Sequence, residues 1–350
     1  MEGMPHSAED LLARRTPFQE ALAAWYRREA RVLPWRTAPS LYKTVVSEFM
    51  LQQTQVKTVL PYFARWHQAL PDFGALAAAP EAVVLKLWEG LGYYSRARNL
   101  RRLAQVLVAL PEIPRTTAGW LALPGVGPYT AAAVTSIGFG LPAACVDGNV
   151  VRILARLTAD HREFRDSATA AKAFAPLAQQ LVPARGAGDH NQAMMELGAT
   201  VCVRQNPLCD RCPVFRFCAA GRAGKPEAYP RLATRPIEKQ TVVRIWCESK
   251  GALLLHRAQA GARRLAGQHE LPTAEQAGLV PAAIAQGPLL ARKKRAITRF
   301  QIVESIHRAA PPRRLPPDLI WAPLGELDQL VLSGPHRRWI GEILRRPARD

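Results

Sequence analysis

From residue 11 to about residue 202, apolar positions recur every three or four residues, the period of a helix that buries one face. Residues 11–31 place Leu11, Phe18, Leu22, Trp25 and Tyr26 on such a face, and residues 44–66 continue with Val45, Val46, Phe49, Met50, Val56, Val59, Leu60 and Phe63. The same spacing predicts helices over 81–88, 95–110, 117–121, 129–139, 150–157, 168–181 and 190–202, with Pro or Gly between nearly all of them. No long alternating pattern precedes residue 240. Residues 221–240 are rich in Pro, Gly and charge and read as a linker. Beyond them Val242, Val243 and Ile245, then residues 253–255, flank Ser249-Lys250-Gly251, which is a hairpin signal. Residues 299–307 are a further strand candidate, and 324–344 return to helix with a break at Gly334-Pro335. The pattern predicts a mainly α region followed by a smaller α+β domain over 241–350.

Composition adds a partner class. The chain has 350 residues and 48% hydrophobic positions, enough for two cored domains and too apolar for disorder. Its net charge of +19 creates a field that attracts polyanions. Residues 116–146 carry no charged side chain, but Pro124, Pro128 and Pro142 and several glycines break them, so no membrane span is expected. The first fifteen residues hold acids and no apolar segment, so a cytoplasmic, nucleoid-associated location is expected.

Four segments carry chemistry. Cys202, Cys209, Cys212 and Cys218 are spaced C-x6-C-x2-C-x5-C, a density typical of a metal site in a cytosolic chain. One close pair followed by Pro213 leans toward an iron–sulfur cluster, and spacing alone leaves zinc open. The run Leu123-Pro124-Gly125-Val126-Gly127-Pro128-Tyr129-Thr130-Ala131 joins two helical segments in a helix-hairpin-helix form. Gly125 and Gly127 there would permit a tight turn and backbone amides aimed at a phosphate. Glu48, Gln52 and Gln55 fall at i, i+4 and i+7, a polar stripe that a solvated helix face would also produce. Asp147, ahead of a helix, is a natural N-cap, and the same position favours its ionised form.

Taken together, these segments resemble the endonuclease-III-like DNA glycosylases, and within them the adenine DNA glycosylases of MutY type. The resemblance covers about residues 15–225. It rests on Leu33-Pro34-Trp35-Arg36, residues 47–55, residues 90–99, the hairpin, Val146-Asp147-Gly148-Asn149-Val150 and residues 191–199, in that order. It implies a two-lobed helical region over 1–220, with a six-helix-barrel lobe at about 32–140 and a cluster lobe at about 1–31 and 141–220. A linker over 221–240 and a Nudix-like lesion-recognition domain over 241–350 would follow. It implies a monomer that flips adenine out of duplex DNA, where adenine lies opposite 8-oxoguanine or guanine, and hydrolyses its N-glycosidic bond.

By the same resemblance Glu48 protonates the base, and Asp147 stabilises the sugar cation or a covalent sugar intermediate. Tyr129 stands where bifunctional relatives carry the Schiff-base lysine, which implies a monofunctional enzyme. Arg36 and Gln192 would line the adenine pocket beside Trp35, and Gln53 and Tyr93 would wedge into the base stack. Cys202, Cys209, Cys212 and Cys218 would hold one [4Fe-4S] cluster. The family's aromatic–serine–histidine lesion-reading element aligns with Ile297-Thr298-Arg299, where only the Thr298 hydroxyl is retained, with Lys293, Lys294 or Arg295 as other contacts. Two rivals stand against this reading: a glycosylase with lyase activity on oxidised pyrimidines, and a non-catalytic DNA-binding sensor built on the cluster.

Overall fold

The computed structural model describes residues 6–234, 236–259, 262, 266–297 and 299–345. Two compact units result: residues 1–77 with 102–234, and residues 78–101 with 235–350. Among the described residues no helix is long and apolar enough to cross a membrane.

The first unit is helical because its apolar stripes meet. Leu11, Phe18, Leu22 and Trp25, from helices His6–Ala13 and Arg15–Glu29, share one core with Val150, Ile153, Leu154 and Leu157 of helix Gly148–Thr158. Helices Ser167–Leu181 and Ala187–Thr200 complete it with Phe174, Leu177, Met194 and Leu197. Helix Leu41–Leu51 starts at Ser40, whose hydroxyl accepts the Lys43 N–H. It is buried on every side from Thr44 to Met50. The charged position within that stretch, Glu48, is therefore carried into the interior by its apolar neighbours.

Three expectations are corrected here. The segment 129–139 is not one α-helix: Pro128–Ala133 is α-helical, and Val134–Gly138 widens into a π-helix. Ser136 on that π-turn donates to the Ala132 carbonyl and accepts from Asn191 Nδ2 at 2.8 Å, so the widened turn is pinned by a tertiary partner. Residues 221–234 are not a free linker. Tyr229 is buried in the core, and Arg231–Leu232 pairs in parallel with Glu163–Phe164. Pro, Gly and charge gave that segment a linker's composition, but the buried Tyr229 and the short strand pairing suffice to dock it. Of residues 324–344 only Gly334–Leu344 is α-helical, with Pro335 in its first turn, after a short 3-10 turn at Leu324–Glu326.

In the second unit, strand Phe300–Arg308 lies between Glu238–Trp246, parallel to it, and Leu289–Ile297, antiparallel to it. A further sheet joins Ala252–Arg257 to Glu248–Ser249, His269–Glu270 and Leu319–Pro323. The hairpin predicted at 249–251 is present, with Lys250 and Gly251 both at positive φ, as a tight two-residue turn demands. Helix Gly334–Leu344 buries Trp339 and Ile340 against Trp246, Leu253, Leu255 and Ile306. Residues 78–101, expected in the helical lobe, group here instead. Arg337 forks onto Glu89, Lys86 donates to the Leu330 carbonyl and Tyr94 to that of Leu332.

Candidate functional site

Glu48 is the organising residue of the first unit. It is 6% exposed, and burial pushes its carboxyl from an ordinary 4.5 up to about 7. A hydrogen bond from Tyr129 and the charge of Arg36 pull the other way, while the negative charge of Asp147 adds to the rise. Tyr129 lies in the first turn after Gly127, its hydroxyl also 2.9 Å from Met195 Sδ. Burial, then the nearby Glu48 charge, holds that phenol protonated well above its usual range. Gln52, one turn on from Glu48, donates to Thr130 Oγ1 at 3.3 Å and ties the two helices together.

Asp147 caps helix Gly148–Thr158: its Oδ1 accepts the Val150 N–H at 2.8 Å. Its Oδ2 accepts from Asn149 Nδ2 at 3.0 Å. Burial raises this carboxyl too, opposed by hydrogen bonds from Val150 and Asn149 and by the Arg152 charge. The charge of Asp147 thus reaches Glu48, and the two carboxyls differ in surroundings: Asp147 has several donors, whereas Glu48 has the Tyr129 hydroxyl. Arg152 extends the arrangement, donating to Asn149 Oδ1 at 2.8 Å and to the carbonyls of Gly198 and Cys202, both at 2.8 Å.

Arg36 and Gln192 are brought together, Nε to Oε1 at 3.1 Å, and Arg36 also lies 3.0 Å from Glu196. Glu196 is fully buried. Desolvation alone would raise its carboxyl, but the Arg31 hydrogen bond and the charges of Arg36 and Arg31 outweigh it and leave the group below its usual range. Glu196 and Asn149 were not singled out in the sequence, although each sits inside a quoted motif. Trp35 is buried, its ring 5.1 Å from that of Phe63, and the Arg36 guanidinium lies 5.5 Å over the Tyr26 ring.

Gln53 is exposed at the end of helix Leu41–Leu51 with φ 57, and Tyr93, in the second unit, is 57% exposed with φ 47. A left-handed backbone at a non-glycine residue is uncommon, and both expected wedge residues adopt it. In the hairpin, only Gly125 needs its glycine for the turn, at φ 72. Gly127 has an ordinary φ of −95, and a Cβ there would meet nothing within 4 Å, so its smallness serves the surface rather than the fold. Thr298 lies outside the described residues. Of its basic neighbours, Lys293 pairs with Glu342 and Arg295 with Glu304, which leaves Lys294 exposed.

Cys202, Cys209, Cys212 and Cys218 come together near the end of helix Ala187–Thr200. Burial raises the Cys212 thiol to about 12, and the other three sulfurs add to the rise. Among the described residues no three His, Cys, Asp or Glu side chains converge as ligands of one ion. The surroundings nevertheless suit sulfur carrying negative charge. Arg156 Nη1 donates to Cys202 Sγ at 3.3 Å and the Gly221 N–H to Cys218 Sγ at 3.2 Å. Arg156, 2% exposed, also holds the carbonyls of Val203, Arg204 and Tyr229. A Cβ on Gly221 would crowd Cys218 Sγ at 3.2 Å. The residues present therefore fit a thiolate-held group.

Residues 46–179 match the family model described as "HhH-GPD superfamily base excision DNA repair protein". Among curated relatives, the chain is 46% identical over 216 residues to the "Adenine DNA glycosylase" of Rattus norvegicus, covering 59% of this chain and 42% of that protein. It is 41% identical over 237 residues to the one from Schizosaccharomyces pombe, covering 61% and 51%. The chain thus spans about half or less of the length of these relatives. Among solved structures, "Structure of a thermostable thymine-DNA glycosylase" matches with a TM-score of 0.52 and 28% identity, covering 60% of this chain and 98% of that one. "Structure of a non-covalent Endonuclease III-DNA Complex", at 22% identity and TM-score 0.50, shares the fold.

Proposed function

We propose, from the match of residues 46–179 to the HhH-GPD superfamily model, that the chain is a monofunctional adenine DNA glycosylase acting on adenine opposite 8-oxoguanine or guanine in duplex DNA. The observation that carries the reading is the pairing of a buried Glu48, poised near neutrality, with a capped Asp147 whose charge reaches it. Adenine leaves poorly until protonated. Glu48, protonated up to about pH 7, donates its proton to the extruded base. As the glycosidic bond breaks, positive charge builds on the deoxyribose, and Asp147 stabilises it as a carboxylate before water adds. The amide and side-chain donors on Asp147 favour its anion, which is the role this step requires.

Tyr129 hydrogen-bonds Glu48 and fixes its orientation. A phenol offers no amine for a Schiff base, so the product is an intact strand with an abasic site. Arg36 and Gln192, joined to each other, line the adenine pocket above Trp35. Gln53 and Tyr93 enter the base stack, and the hairpin at Gly125 and Gly127 takes a phosphate. Cys202, Cys209, Cys212 and Cys218 would hold a [4Fe-4S] cluster, which supplies a cross-link for the 202–218 loop. Residues 241–350 serve as the Nudix-like lesion-recognition domain.

The test is a duplex bearing one adenine opposite 8-oxoguanine, incubated with the protein and then divided. Cleavage at adenine only in the alkali-treated half is expected. Nicking without alkali would favour the lyase, and an intact strand in both halves would favour the non-catalytic binding protein.

A further inference from the structure

The sheet of Glu238–Trp246, Phe300–Arg308 and Leu289–Ile297 treats the cations of its two faces differently. On one face Arg244 and Arg295 pair with Glu304, and Lys293 pairs with Glu342, so these three positive charges each have an anion beside them. Side chains alternate along a strand, so the pairing register sends Lys239, Arg292 and Lys294 to the opposite face. There the rows run Lys239–Gln301–Ala296, Thr241–Val303–Lys294 and Val243–Ser305–Arg292, with no Asp or Glu among them. All three cations are exposed, and among the described residues none has an ion pair. Arg292 and Lys294 sit two apart on one strand, about 6.8 Å, and Lys239, opposite Ala296, lies two strands across and two residues along from Lys294, about 12 Å. The Arg292–Lys294 separation is within the Debye length at physiological salt, so these two charges repel each other unless an anion lies across them.

We propose that this face docks on the phosphate backbone of duplex DNA, through sequence-independent contacts from Lys239, Arg292 and Lys294. The inference rests on the glycosylase reading for its choice of polyanion. At the exposed end of this face the long cations stand beside Thr241, Ala296 and Gln301, all exposed, a setting that suits phosphate oxygens, which position a protein without reading bases. The cations also lie on the sheet's two outer strands, where charge commonly blocks edge-to-edge association. That role requires no DNA and makes a different prediction.

The experiment uses the full chain and a fluorescent duplex without a mispair. Its dissociation constant is measured from 50 to 200 mM salt for the parent and for the variant carrying Lys239→Ser, Arg292→Ser and Lys294→Ser. Each phosphate contact contributes about 0.9 to the slope of log affinity against log salt. A slope shallower by about 2 to 3, with at least tenfold weaker binding at 50 mM, is expected. A control variant with Lys250→Ser, Arg313→Ser and Arg314→Ser, which removes the same charge from elsewhere in the unit, should keep the parental slope, and so should Lys294→Arg. An unchanged slope in the first variant, or an equal loss in the control, overturns the proposal, as does self-association of that variant with DNA binding intact. Failure of the parent to release adenine would overturn the glycosylase reading instead, whatever the slopes.

Discussion

Glu48 shows what one side chain costs and supplies. Lifting its carboxyl from 4.5 to about 7 means that the native state binds this proton more tightly than the unfolded chain does. Stability is therefore full below about pH 4.5, falls as the pH rises toward 7, and is then lower by about 3 kcal/mol. Glu48→Gln removes that penalty. Thermal melts should show the variant above the parent at pH 8 and level with it near pH 4.5. Base release should fall by at least about a thousandfold while DNA binding is kept. In the parent, single-turnover base release should decline above about pH 7, as Glu48 loses the proton it must donate. A rate that climbs through pH 7 to 9 would remove Glu48 from the role of acid. The motif around residue 48 was legible in the chain as a polar stripe. Its burial was not, because the stripe reads equally well as a solvated face until the partner helices are in place.

At the level of elements, the contact between helix Gly148–Thr158 and helix Ala187–Thr200 fixes the site. A Cβ at Gly198 would stand 2.5 Å from Asn149 Cβ, and Asn149 holds Asp147 Oδ2. Alanine is the better helix former by about 1 kcal/mol, but a contact that close forces the helices apart. Gly198→Ala should lower the melting temperature and cut base release at least tenfold. Gly148→Ala has open space around its Cβ, and its melting temperature should match or exceed the parent's. Equal behaviour of the two variants in a melt would mean that the close approach is not rigid. Pro and Gly punctuation located these helices closely in the sequence. The π-turn at Val134–Gly138 escaped, since it depends on Asn191, more than fifty residues away.

For the whole molecule, the second unit is held together in part by a few charged side chains. Arg244, 4% exposed, joins three strands of the second unit through Glu304, Glu270 and the Leu271 carbonyl. Arg244→Ala leaves buried carboxylates short of a partner and should cost about 3 kcal/mol, read as an earlier urea midpoint of that unit. Arg244→Met with Glu304→Leu should recover most of the loss, because apolar groups of similar size need no counter-charge; no recovery would mean that packing dominates. The chain's order of apolar stripes and its helix breakers settled by themselves the helical first unit and the change of character near residue 240. Periodicity is a local property, so it needs no partner to be read. Which polar groups sink into the interior, which strand face keeps its charges bare, and why residues 78–101 group with 235–350 were decided by tertiary contact alone. Desolvation and ion pairing depend on distances between residues far apart in the chain, and no local pattern encodes those distances.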